Sequence, residues 1–187
     1  MGLGWIIERA KATLGGSGAS IKAALALQPC PTAAWESQAT TPALQAALQA
    51  LGFQRIGTFH LTIAPRTEFA AYYFPQAHFY AILHPPGPKG TPFELCCQLD
   101  ELSGISVTNS PDLETWHDSP GNVTHRLPDA PVGVVFTTLL QKISGHDRLP
   151  ASVETFPGDF QRALARRVEW KQRQEAAQKV LAARKAA

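Results

Sequence analysis

The sequence predicts a single α+β domain: an antiparallel β-meander of about five to six strands, packed on one face by helices, with a long C-terminal helix. Three observations predict it. From residue 53 to residue 109 the apolar pattern leaves helical spacing and alternates like strands. The alternating runs, 53–63, 69–74, 77–84, 92–99 and 104–109, are joined by Pro-, Gly- or charge-rich turns such as "HPPGPKGTP" and "DELSG". Those turns are too short for a parallel crossover, which needs about a dozen residues, so neighbours run antiparallel. A chain of 187 residues is also sized for one core rather than two.

Before the meander, residues 1–40 read as an N-terminal helical segment and linker. Trp5, Ile6 and Ile7 make the apolar side of a short helix over 3–13, which "GGSG" at 15–18 ends. That glycine cluster lacks the preceding strand and the following Lys-Ser/Thr of a phosphate-binding loop. A second short helix is expected over 19–28, followed by the loop "PCPTAAWESQATTP". The clearest helix is "TTPALQAALQALGF": Thr41 caps it, Pro42 takes the first position, Leu44, Leu48 and Leu51 form its stripe, and Gly52 ends it.

The body spans 41–170. Residues 110–130, "SPDLETWHDSPGNVTHRLPDA", show no period and read as a long loop, a kind of segment that is often functional. "PVGVVFTTLLQKI" reads as a helix opened by Asp129 and Pro131. The last helix starts near Asp159, with Phe160, Leu164 and Val168 spaced to dock on the sheet. Beyond Trp170 the stripe decays, and 171–187 read as a basic helical extension.

The net charge of +2 conceals an asymmetry. Residues 158–187 hold eight Lys/Arg against three Asp/Glu, leaving nine against twelve in the rest. An acidic body disfavours a broad phosphate-tracking surface, so nucleic acid is an improbable partner. Three cysteines, with no C-x-x-C pair, suit a reducing compartment and a cytoplasmic protein. No apolar run reaches the ~20 residues of a membrane span. Pro29, immediately before Cys30, is a poor fit to lipoprotein cleavage. "GLGWIIERAK" offers at most weak membrane-surface contact.

Alternation sorts the strand residues into faces. One carries Phe59, Leu61, Phe79, Ala81, Leu83, Phe93, Leu95 and Cys97. The other carries His60, His78, Tyr80, His84, Glu94, Cys96 and Gln98. An antiparallel sheet often wets one face, and most such faces are simply solvated. Histidine, glutamate and cysteine on neighbouring strands could also form a ligand surface or pair a thiolate with a base. A second group, Trp116, His117, His125 and Arg126, falls in the 110–130 loop, where an aromatic beside cations could clamp an anion. The bland reading there is a proline-rich loop pinned by Trp116.

No G-x-S-x-G elbow, Walker motif, strand-following G-x-G-x-x-G or H-E-x-x-H occurs, and neither cofactor nor metal is expected. The function expected is therefore a non-enzymatic binding or protein-interaction module using an open sheet face and the 110–130 loop. Its partner would be a protein or a small molecule. The alternatives are a small hydrolase-like enzyme using the same histidines, and an assembly subunit forming oligomers through the C-terminal helix. In element order alone, helices flanking a meander resemble the helix-grip architecture of ligand-carrying domains, a likeness that carries no function.

Overall fold

The computed structural model describes residues 25–38, 40–62, 64–111 and 121–186. The expected helix over 3–13 lies outside them, as does most of the one over 19–28. Where the latter would end, Leu27–Cys30 is instead an edge strand, β1, paired antiparallel with β2. Tertiary pairing has overridden the local helical preference of that short run.

Six further strands follow: β2 (Gln54–Leu61), β3 (Ala64–Phe74), β4 (Phe79–Leu83), β5 (Phe93–Gln98), β6 (Gly104–Thr108) and β7 (Asn122–Arg126). They form one seven-stranded sheet whose spatial order is the chain order. All neighbours are antiparallel except β6 and β7, which are parallel. The α+β class and the meander hold, with slightly more strands than expected. One addition, β7, lies in the segment read as a loop. The stretch 109–121 between β6 and β7 is long enough for a parallel crossover. Gly121 ends that crossover at φ +86°, where a Cβ would stand 2.8 Å from the Leu102 carbonyl oxygen. Only glycine fits so close a return.

Helix α1 (Thr41–Ala50) begins one residue earlier than the capping pattern implied, with Thr40 at the N-cap. The Thr41 hydroxyl bonds Thr91 at 2.7 Å instead. Gly52, at φ +97°, closes the helix as expected, its N–H reaching the Gln49 carbonyl at 2.9 Å. Helix α2 (Val132–Ile143) turns Val135, Leu139 and Ile143 to the sheet. With α1 it covers one face, over Tyr72, Phe74, Phe79, Ala81, Leu83, Leu95, Cys97 and Val107.

Helix α3 (Phe156–Ala186) covers the other face. Phe156, Phe160, Leu164 and Val168 recur every fourth residue and pack on Phe59, Phe69, Tyr80, Ile82 and Cys96. Phe160 stacks on Phe69 with ring centres 4.8 Å apart, and Phe156 meets Tyr80 edge-on at 5.0 Å. The expected docking of this helix is thus observed, and it buries the face read as open and polar. Past Trp170 the helix leaves the sheet, with Val180 and Leu181 exposed. Among the described residues no helix is long and apolar enough to cross a membrane.

Candidate functional site

Register decides where each expected site residue lies. Tyr73 faces Tyr80, Tyr80 faces Cys96, and Cys96 faces Ser106, a row on the α3 side. Phe59 faces Phe69 on that same side, so His60, adjacent in sequence, points to the opposite face beside Glu68. The grouping of His60 with His78 and Tyr80 is therefore corrected. Glu94 and Cys96 do share the Tyr80 face, but beneath α3 they are 0% and 2% exposed. Neither belongs to a surface. Glu94 has an interaction partner, as does Arg167, which α3 buries in full.

Burial, with the Glu94 carboxylate next in weight, pushes the Cys96 thiol well above its ordinary range. A thiol so placed is a small hydrophobe and not a nucleophile. Cys97, on the other face, is likewise raised by burial, to about 11. The two adjacent cysteines are separate core residues of separate layers.

His125 and Arg126 stand on β7, three strands from β4. His125 pairs with Val107 on the α2 side, while Arg126 pairs with Thr108 on the α3 side. Burial, with Lys142 nearby, lowers the His125 pKa. Trp116 and His117 lie outside the described residues, so the loop cluster is brought together only as far as this edge strand.

What remains reachable of the α3-side face is its end. Here His78, Tyr80 and Gln98 meet the segment 149–155 and the first turns of α3 around a cleft of about 270 Å³. His78 closes the four-residue β3–β4 turn at φ +54°, a left-handed conformation that histidine tolerates better than most side chains. Its Nδ1 lies 3.1 Å from the Tyr73 hydroxyl and 3.3 Å from the Ala151 carbonyl oxygen. The Tyr80 hydroxyl donates to Asp159 Oδ2 at 2.7 Å and accepts the Ser152 N–H at 3.3 Å, with Thr155 Oγ1 at 3.0 Å. Burial foremost, and the Asp159 carboxylate beside it, raise the Tyr80 pKa. Tyr80 is thus a fixed donor that ties 152–155 and α3 to the sheet, and not a base.

Arg162, one turn beyond Asp159, bonds Asp159 Oδ1 while its side chain stays 67% exposed. Leu149, Pro150 and Ala151 supply an apolar wall. Sequence reasoning placed His78, Tyr80 and Gln98 on this face and missed Asp159 and Arg162. Their i, i+3 spacing on a predicted helix was the available signal. The nearness of 149–155 to His78, some seventy residues apart in the chain, had none.

Among the described residues no group of three or more His, Cys, Asp or Glu could hold a metal ion. Compared with protein-family models, with curated proteins and with solved structures, the chain matches none.

Proposed function

We propose that the protein is a non-enzymatic binding module whose ligand is a small molecule seated in the cleft between His78, Gln98, Ala151 and Arg162. One observation carries the reading. Side chains from a β-turn, two strands, a loop and a helix converge on one concavity whose frame, Tyr80 with Asp159, is buried and hydrogen-bonded. Concave sites with mainly apolar walls and a few converging polar groups are where small ligands bind. The binding surface of the expectation contracts from the whole sheet face to this end of it. The hydrolase alternative has less support, because Cys96, the thiol on the Tyr80 face, is buried and the Tyr80 hydroxyl is engaged.

The test is thermal-shift screening of a small-molecule library against the wild type and Ala151→Trp, a variant that fills the cleft. A ligand at about a hundred times its Kd stabilises by about 2.7 kcal/mol, or roughly 5–10 °C for a domain of this size. The reading expects such shifts in the wild type and their loss in Ala151→Trp. Equal shifts in both proteins would place the ligand elsewhere and refute it.

A further inference from the structure

We infer that the ligand of the cleft is a small organic monocarboxylate, its charged head on Arg162 and Gln98 and its apolar body against Leu149, Pro150 and Ala151. This rests on the binding reading above and adds the chemical class. The head group follows from which hydrogen-bonding groups around the cleft are already occupied. Asp159 accepts the Tyr80 hydroxyl on Oδ2 and Arg162 on Oδ1. Glu154 accepts the Ser152 hydroxyl at 2.7 Å. Asp100, in the β5–β6 turn, accepts the backbone N–H groups of Leu102 and Ser103 at 2.6 and 2.8 Å and the Ser103 hydroxyl at 2.6 Å. Each of these carboxylates is held by internal donors.

The donors facing the cleft are not so engaged. Arg162 has five N–H groups and directs one to Asp159, and its side chain is largely solvent-facing. Arg166 follows one helical turn later, but Asp100 and Glu101 are its acidic neighbours, so the cation the cleft offers is Arg162. The Gln98 side-chain amide lines the cleft with no hydrogen bond to a described residue. A guanidinium fork beside an amide donor matches a planar carboxylate in two-point contact. One such fork, with the Asp159 carboxylate close behind it, disfavours a dianion. A volume of about 270 Å³ restricts the body to a few apolar carbons or one ring.

The experiment is a titration of the full chain, ¹⁵N-labelled, with benzoate, benzamide and benzylamine, followed by backbone amide shifts. Benzoate is expected to move the signals of Gln98, Ala151 and Arg162 and to bind at least about tenfold more tightly than benzamide, the equivalent of one charge-assisted contact. Arg162→Gln is expected to remove that preference, and Arg162→Lys to keep only part of it, since lysine retains the charge without the fork. Equal binding of benzamide, or tighter binding of benzylamine, with the same signals moving would overturn the carboxylate while the cleft remains a binding site. No movement of these signals with any probe up to about 10 mM, a limit corresponding to very weak binding, would overturn both.

Discussion

Phe156→Ala is expected to destabilise the protein by about 3–5 kcal/mol, the usual consequence of deleting a buried aromatic ring. Phe156 is fully buried where α3 begins, and its ring lies 5.5 Å from Phe59, 5.0 Å from Tyr80 and 5.9 Å from Phe160. It joins three elements at once, so truncation both leaves a cavity and loosens the first turn of the helix. For a domain of this size the loss corresponds to a fall of roughly 10 °C in Tm. Chemical denaturation of wild type and variant measures it. A change below about 1 kcal/mol would mean that α3 does not close the sheet as described.

Glu36→Gln should cost about 1–3 kcal/mol, the loss found when buried hydrogen-bonding groups are left unsatisfied, its ion-pair partner Arg55 being partly exposed. Glu36 sits in a short helical turn, Ala34–Ser37, and is 4% exposed. Its Oε1 accepts Thr58 Oγ1 at 2.5 Å and the Ala33 N–H at 3.0 Å, and its Oε2 accepts Gln45 Nε2 at 2.9 Å and Arg55 at 3.0 Å. The carboxylate therefore joins that turn to α1 and β2. Glutamine would turn an amide group toward donors now served by the carboxylate, of which Arg55 alone also reaches Thr58 Oγ1, at 2.8 Å. Burial acts to raise the Glu36 pKa, but Thr58, the Ala33 N–H and Arg55 together outweigh it and hold the group below its ordinary 4.5. A depressed folded-state pKa contributes stability that is present above pH 4.5 and lost as pH falls through the folded value. The difference between wild type and Glu36→Gln should accordingly narrow below that pH. A constant difference from pH 7 down to pH 3 would contradict the role given to the carboxylate.

The elements were legible in the sequence because alternation and helical spacing are local properties. Gly52 ends α1, and the strand runs expected over 77–84, 92–99 and 104–109 form as Phe79–Leu83, Phe93–Gln98 and Gly104–Thr108. The assignment of faces was not legible, since it depends on register. Bulges between Arg55 and Gly57 and between His60 and Leu61 decide which side of β2 faces α3, and no local pattern marks them. Phe59 consequently joins Tyr80 rather than Phe79.

Polarity misled in a second way. Tyr80, Glu94 and Cys96 alternate with Ala81 and Leu95 as a wet face would, yet β4 and most of β5 are buried on both sides. The helix that covers them was visible in the stripe of Phe160, Leu164 and Val168. Which face it would cover was not. The cleft combines this uncertainty with a long-range contact, which is why only its sheet-side part, His78, Tyr80 and Gln98, could be placed together. The strand β7 was hidden because an edge strand of five residues among prolines and glycines carries too short a pattern to rise above its loop.

Everything said of the cleft depends on α3 closing the rest of the sheet face, and Cys96 lies at the middle of that closure. Native-state labelling with N-ethylmaleimide, mapped to individual cysteines by mass spectrometry, reports on it. Cys30 is partly exposed and should label first, whereas Cys96 should label only as fast as the protein unfolds and fully only in denaturant. Labelling of Cys96 in the folded protein at the rate of an exposed thiol would show the face to be open and would contradict the structure proposed for the site.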